Sequence, residues 1–159
     1  EPFFANKNAI EVTMPEDVFH GTASIHETNA WIASLKDQWQ KHDVMIVRIG
    51  HEATGGKEYA VRLRNLFGEM AYQILSPDQG VQECRSVGVQ TLPSSTLNSS
   101  TLIIIEGGAT AYSVLQRLGI SSFDVEYEYS PGVVCLSHGN MRIILKPGSY
   151  PWGNLFEEL

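Results

Sequence analysis

One stretch, residues 101–119, limits what this chain can fold into more than any other part of the sequence. It reads Thr101-Leu-Ile-Ile-Ile-Glu-Gly-Gly-Ala-Thr110 and continues as Ala111-Tyr-Ser-Val-Leu-Gln-Arg-Leu-Gly119. The unbroken apolar run from Leu102 to Ile105 is typical of a strand that is buried on both faces. The stretch therefore predicts a strand in the centre of a sheet, followed by a tight turn and a helix.

The turn and the helix that follow this strand carry the first functional signal. Gly107 and Gly108 remove two side chains where the chain must turn, and Thr110 is a good N-cap for a helix that ends at Gly119. Free N–H groups at a helix N-terminus, with a hydroxyl beside them, suit a phosphate. Many α/β proteins use two glycines only to make a tight turn, so both interpretations stay open from the pattern alone.

Composition excludes several classes of partner. The 159 residues are 43% hydrophobic and 18% charged, which predicts a single domain over residues 1–159 with its own core. A net charge of -7 with only eleven Lys and Arg argues against a nucleic-acid or an anionic membrane surface. Cys84 and Cys135 stand far apart without a CxxC motif, so we expect a cytoplasmic protein with no disulfide scaffold and no protein-held metal.

Strand and helix patterns alternate along the first 120 residues. A capping box at Ser24 to Glu27 predicts a helix that ends near His42, and apolar spacing predicts another from Lys57 to Leu75. Strands are predicted at Ala9–Met14, Asp43–Ile49, 88–92, 123–129, 133–137 and 142–146. Together these patterns predict an α/β fold, specifically a three-layer α/β/α sandwich whose sheet is mainly parallel and mixed by the late hairpin.

The loop from Gly50 to Lys57 resembles a phosphate-binding P-loop only superficially. That motif has four residues between its first glycine and Gly-Lys, followed by Ser or Thr, whereas here six residues separate Gly50 from Lys57 and Glu58 follows. His51 lies in this loop without an identified carboxylate or nucleophile partner. A simple connection and a ligand contact both remain possible interpretations of the loop.

A second candidate segment closes the last predicted strand. In a parallel sheet, ligands bind beyond the carboxyl ends of the strands, and Lys146 ends one strand as Glu106 ends another. Lys146 would neutralise phosphate charge, and Gly148 would let the backbone approach the same phosphate. The plain alternative is a surface lysine before a Pro-Gly turn.

Order and spacing of these motifs carry a resemblance to a known family. The segments Ile105-Glu-Gly-Gly-Ala-Thr-Ala111, Tyr129-Ser-Pro-Gly132 and Ile144-Leu-Lys-Pro-Gly-Ser-Tyr150 resemble the C-terminal nucleotide-binding domain of the four-carbon acid sugar kinases. The resemblance is specific from about Leu102 to Gly153 and only architectural before that. It implies that ATP phosphates, with Mg²⁺ carried by the nucleotide, are bound by Gly107, Gly108, Thr110 and Gly148. Because both loops follow strand C-termini, we expect Ala109 to line the same site and Lys146 to be its charge partner.

The same resemblance implies what the whole protein does. Members of the family are over twice as long, and an N-terminal domain holds the sugar-acid site. We therefore expect this chain to be the C-terminal half of a two-domain kinase that phosphorylates a hydroxyl of a small sugar acid, such as a tetronate or 3-oxo-tetronate. We expect the isolated chain to be inactive. No catalytic base is identified in the chain, and a homo-oligomer stays open.

One departure from the family pattern keeps other functions open. Ala109 stands where the family has an acidic residue, which would help to place Mg²⁺ or a phosphate. A non-catalytic ligand-binding or regulatory module that keeps the turn for structure is therefore the main alternative. A small-molecule hydrolase that uses His51 is a third interpretation, although the sequence displays no nucleophile for it.

Overall fold

The computed structural model describes residues 7–52, 55–76, 101–153 and 155–158, and helices and strands alternate through this part of the chain. The elements are β1 (Ala9–Thr13), α1 (Glu16–His20), α2 (Ile25–Lys41), β2 (Val44–Arg48), α3 (Lys57–Leu75), β3 (Thr101–Glu106), α4 (Gly108–Arg117), β4 (Asp124–Ser130), β5 (Val133–His138), β6 (Met141–Lys146) and α5 (Leu155–Glu158). The predicted α/β fold class is confirmed. The chain divides into two compact units, and the boundary falls within α3, between Leu63 and Arg64.

The first unit contains a two-stranded parallel sheet and the capped helix α2. Strands β1 and β2 pair in register from Ala9 with Val44 to Thr13 with Arg48. The predicted capping box is present, because the Ser24 N–H donates to the Glu27 carboxylate at 2.7 Å and the Glu27 N–H donates to Ser24 Oγ at 3.2 Å. These two bonds satisfy N–H groups that the first turn of the helix leaves free, and they fix where α2 begins.

The short helix α1 was not predicted from the sequence. It follows Pro15, carries Glu16 and Asp17 in its first turn, and ends at Gly21 in the left-handed conformation with a φ of 76°. At this C-terminal end the Arg62 guanidinium donates hydrogen bonds to the carbonyl oxygens of two helix residues, Val18 and Phe19. Proline, acidic residues and glycine are ordinary helix boundary signals, but five residues are too few to show a helical period.

The second unit is built on a four-stranded mixed sheet in the order β3-β6-β5-β4. β3 runs parallel to β6, whereas β6 with β5 and β5 with β4 are antiparallel. The antiparallel pairs follow from the short turns at Pro131-Gly132 and Gly139-Asn140, and the parallel pair requires the crossover through α4. The predicted mixture of parallel strands with a late hairpin is thus observed.

The expected central position of Leu102–Ile105 is wrong for the part of the sheet that the structure describes, because β3 lies there at one edge. Its residues Leu102 to Ile104 are half-buried and Ile105 is buried. An apolar run indicates that both faces of a strand are buried. It does not indicate whether one or two strands pair with its edges. The predicted strand at 88–92 falls outside the described residues.

Helix α4 and the second half of α3 contribute to the core of this unit together with the sheet. The buried residues of this cluster are Ile105, Ala111, Val114, Leu115, Leu118, Ile120, Leu136, Met141 and Ile143. The two helices approach closely at Gly68, where an added Cβ would lie 2.9 Å from the carbonyl oxygen of Ser113. An ion pair of 2.7 Å between Arg117 and Glu69 also joins them. Partial burial raises the pKa of the Glu69 carboxyl, but hydrogen bonds from Arg117 and Gln73 outweigh this effect and hold the pKa below its ordinary value.

None of the helices within the described ranges is both long and apolar enough to cross a lipid bilayer.

Candidate functional site

The two glycine-bearing segments predicted to form a site leave the same end of neighbouring strands. In the parallel pair of β3 and β6, Glu106 is the register partner of Lys146. One residue further on, the Gly107 N–H donates to the Lys146 carbonyl oxygen at 2.8 Å. The structure therefore brings the segment from Gly107 to Thr110 together with the segment from Pro147 to Gly148 at one edge of the second unit.

Gly107 makes the turn from strand to helix within one residue. Its φ of 94° and ψ of 119° are disfavoured for residues with a side chain, and it is the N-cap of α4. The first helical hydrogen bond runs from the Ala111 N–H to the Gly107 carbonyl at 2.9 Å. The prediction that Thr110 is the N-cap is therefore wrong, because the helix already begins at Gly108 and Thr110 is its third residue.

The first turn of α4 supplies the donors of the candidate site. The N–H groups of Gly108, Ala109 and Thr110 have no partner within the helix, and they lie at the positive end of its dipole. Gly108 and Ala109 are exposed, and a Cβ on Gly108 would meet no atom within 4 Å. An anionic oxygen therefore has open access to this turn.

The Pro147–Tyr150 segment forms the second half of the candidate site. The Tyr150 N–H donates to the Pro147 carbonyl at 3.1 Å, which closes a turn with Gly148 and Ser149 in its central positions. Both central residues are exposed, and the space around Gly148 is open where a Cβ would stand. This turn projects beyond the strand end without a bulky side chain at its apex.

Lys146 lies between the two segments and is buried, with only 3% of its surface exposed. Its Nζ donates to the Glu106 Oε1 at 2.5 Å and lies 3.3 Å from the carbonyl oxygen of Pro147 and 3.5 Å from that of Gly148. The ring of Trp152 is 4.7 Å from the same ammonium. The Lys146 charge is thus surrounded by protein groups at the base of the second turn.

Sequence reasoning did not single out Ser149 or Trp152, although both belong to this region. Ser149 follows the glycine of a Pro-Gly turn, so its central position in the Pro147–Tyr150 turn could have been predicted from the sequence. The contact of Trp152 with Lys146 depends on tertiary packing, and no local pattern signals it.

The Gly50–Lys57 loop belongs to the first unit and offers weaker chemistry. The His51 Nε2–H donates to the Met14 carbonyl at 2.7 Å, and the imidazole packs against Phe19 with ring centroids 4.8 Å apart. Thr54 lies outside the described residues. Across the described ranges there is no group of three His, Cys, Asp or Glu side chains that would hold a metal ion. The packing of His51 is that of a structural residue.

Comparison with known proteins assigns this arrangement to a class. A family model of nucleotide-binding C-terminal domains matches residues 5–150, and the chain belongs to this family. The resemblance predicted from the turn motifs is thereby confirmed. No curated protein sequence matches the chain significantly.

Two solved structures share the fold. A structure from Salmonella typhimurium LT2, provisionally named a tRNA synthase, is 20% identical with a TM-score of 0.62, and the match covers 94% of this chain and 33% of that one. A Haemophilus influenzae protein of the family DUF1537 is 18% identical with a TM-score of 0.60, and the match covers 94% of this chain and 34% of that one. The present chain thus spans about a third of the length of these structures.

Proposed function

We propose that this chain is the ATP-binding part of a longer two-domain kinase that phosphorylates a hydroxyl of a four-carbon sugar acid, such as a tetronate or 3-oxo-tetronate. The observation that carries the proposal is the register of Glu106 with Lys146, which sets two glycine turns side by side at one strand end. Membership of a nucleotide-binding family supports the same assignment. The motif resemblance to four-carbon acid sugar kinases supports the acceptor class.

The chain's own contribution to such a reaction is to hold and orient the phosphates. The N–H groups of Gly108, Ala109 and Thr110 would bind anionic oxygens at the helix end, and the Thr110 hydroxyl would add one hydrogen bond. Gly148 would admit the same phosphate chain from the other side. Phosphoryl transfer depends largely on positioning and charge neutralisation, and bound ATP with its Mg²⁺ would supply the phosphoryl group and the neutralising charge. The acceptor site and the catalytic base would belong to the rest of the longer protein.

A non-catalytic regulatory module is the second candidate function, and Ala109 is the observation that favours it. A carboxylate at this position would stand in the first turn of α4, beside the three free N–H groups. With alanine the turn would still present its three N–H groups to an anion but would lack a carboxylate directed at the metal. Under this alternative the longer protein would bind nucleotide and phosphorylate no sugar acid.

Calorimetric titration with Mg-ATP and Mg-ADP tests the proposed binding site directly. We expect binding to the parent chain, and a loss of at least about tenfold, or ~1.4 kcal/mol, in Gly108→Val because the new side chain obstructs the approach to the backbone. Gly56→Val is the matched control, since Gly56 lies at the N-terminal end of another helix, immediately before α3, is exposed and has open space around it.

The pair of variants distinguishes the N-terminus of α4 from that of α3 as the place where the nucleotide binds. Retained binding in folded Gly108→Val, with a loss in Gly56→Val, would move the site to the Gly50–Lys57 loop. A parent chain that binds neither nucleotide would refute the proposal as a whole. Melting curves of both variants show whether a loss of binding reflects a loss of folding.

A further inference from the structure

We propose that Lys146 is a positioning residue whose buried ammonium turns two carbonyls inward and so presents the N–H groups of Gly148 and Ser149 to a phosphate oxygen of the nucleotide. The inference rests on the proposed function and deepens it, because it assigns two further donors and a role for Lys146 other than direct contact with the ligand.

The first step concerns what the ammonium can still bind. A lysine ammonium has three N–H donors, and burial is unfavourable unless they are paired. Here three oxygens are available, those of the Glu106 carboxylate, the Pro147 carbonyl and the Gly148 carbonyl. Trp152 stacks on the same group. All three donors are thus accounted for within the protein, and none is left for a ligand.

The second step follows from the geometry of the peptide bond. In a trans peptide the C=O and the N–H point in opposite directions. The Pro147 carbonyl shares its peptide unit with the Gly148 N–H, and the Gly148 carbonyl shares its unit with the Ser149 N–H. Because both carbonyls face the buried Lys146, both N–H groups face away from it. Neither N–H has a protein acceptor within the described ranges, and both residues are exposed.

The third step joins the two turns. The carboxylate that binds Lys146 belongs to Glu106, and the next residue, Gly107, donates its N–H to the Lys146 carbonyl. Lys146 therefore fixes the spacing between the donors of the Pro147–Tyr150 turn and those of helix α4. Since the Lys146 and Glu106 charges offset each other, the attraction for an anion at this place comes from oriented amides.

The proposal is tested with Lys146→Met, which keeps the aliphatic stem and removes the ammonium. In the nucleotide-free protein we expect faster hydrogen exchange and lower ¹⁵N order parameters at Gly148 and Ser149. For Mg-ADP we expect about tenfold weaker binding, by the same factor at about 0.05 M and about 0.5 M NaCl, because oriented donors rather than a screened charge are lost. Lys57→Met, at an exposed lysine, is the control and should leave the dynamics of both residues unchanged.

Two results would overturn the proposal. One is unchanged order at Gly148 and Ser149 in Lys146→Met. The other is a loss of affinity that shrinks towards nothing at the higher salt concentration, as expected for a direct ionic contact with phosphate. Parent protein that binds no nucleotide would instead refute the proposed function, so the two failures are distinguishable.

A second pair of variants decides the matter if Lys146→Met does not fold. Ser149→Pro removes the N–H in question, and Ser149→Ala retains it while removing the hydroxyl. We expect about fivefold weaker Mg-ADP binding in Ser149→Pro, the effect of one hydrogen bond of ~1 kcal/mol, and parent-like binding in Ser149→Ala. Parent-like binding in folded Ser149→Pro would contradict the role assigned to this N–H.

Discussion

At the scale of single residues, the adjacent glycines 107 and 108 are required for different reasons. Gly107 has a φ of 94°, so its need for glycine is a matter of backbone conformation. Gly108 is not among the glycines with positive φ, and open space surrounds the position of its missing Cβ. The fold therefore does not require the absence of a side chain at Gly108. Its absence leaves the backbone N–H groups of this turn accessible to a ligand.

This difference predicts opposite effects of one methyl group on stability. Gly108→Ala should raise the free energy of unfolding by about 0.5 kcal/mol, because alanine restricts the unfolded chain and favours the helix, and it should weaken nucleotide binding. Gly107→Ala should lower the free energy of unfolding by about 1–3 kcal/mol. Thermal or urea unfolding of the two variants measures both effects. A destabilised Gly108→Ala would show that this glycine, too, is needed for folding.

Ala109 offers a test of what the missing carboxylate would do. Ala109→Asp places a negative charge in the first turn of α4, which should stabilise the domain by about 0.3–1 kcal/mol through the helix dipole. In the absence of Mg²⁺ the new carboxylate should repel ADP and weaken its binding. With Mg²⁺ the affinity should rise above that of the parent if the carboxylate acts through the metal. Titrations of ADP in the presence of Mg²⁺ and in the presence of a chelator measure the two changes in affinity. An equal change in affinity under the two conditions would exclude a role for the metal.

The sequence predicted which segments lie close together in the candidate site better than it predicted the structural role of each residue. Motifs at two strand ends were enough to group Gly107, Gly108 and Gly148, because parallel strands end at one edge. The cap was misplaced at Thr110, since nothing local shows that Gly107 alone completes the turn. The burial of Lys146 was not predictable either, because it depends on Glu106 and Trp152, which the fold brings to it from both directions along the chain.

At the scale of elements, α4 is held in place by its contact with α3. A Cβ on Gly68 would lie 2.9 Å from the Ser113 carbonyl oxygen, which is a backbone atom and cannot rotate away. Near the same contact, the Arg117 guanidinium bonds to Glu69 and lies 3.8 Å from the centre of the Tyr72 ring. The helix that carries the donor N–H groups therefore has a fixed position on the sheet.

Gly68→Ala should destabilise the protein even though alanine is the better helix former. The gain in helix propensity is about 1 kcal/mol, whereas forcing the two helices apart costs about 1–3 kcal/mol. Because α4 must shift, nucleotide affinity should fall as well. Unfolding and calorimetry measure the two effects, and Gly108→Ala is the contrasting variant in an open position. A higher melting temperature for Gly68→Ala would contradict the close helix contact.

The long helices were predictable from the sequence, and the short helices were not. Helices α2 and α3 have enough turns to show an apolar stripe, and a capping box fixed the start of α2. Helices α1 and α5 contain five and four residues, too few for a period to emerge. The edge position of β3 within the described sheet could not be inferred from the sequence. The pattern of apolar side chains depends on what covers the two faces of a strand, and it does not depend on how many strands pair with its edges.

At the scale of the whole molecule, the chain covers about a third of the solved structures that share its fold. If the acceptor site belongs to the remainder of a longer protein, this chain alone should bind nucleotide without turning it over. We expect no phosphorylation of any four-carbon sugar acid by the isolated chain, measured by phosphate transfer from labelled ATP. The longer protein is the control and should transfer phosphate. Efficient transfer by the isolated chain, free of contaminating kinase, would contradict the proposed division of labour.

The pairing of β3 with β6 also has a consequence for folding kinetics. Strands β4, β5 and β6 are joined by short hairpins, whereas Glu106 and Lys146 meet across 40 residues of chain. Closing a loop of this length loses chain entropy before any contact compensates for it, so the hairpins should assemble before β3 docks. The candidate site, whose glycine turns follow these two strands, should then be ordered only after β3 has docked. A bound nucleotide would accordingly lengthen the lifetime of the folded unit and leave the rate of folding nearly unchanged.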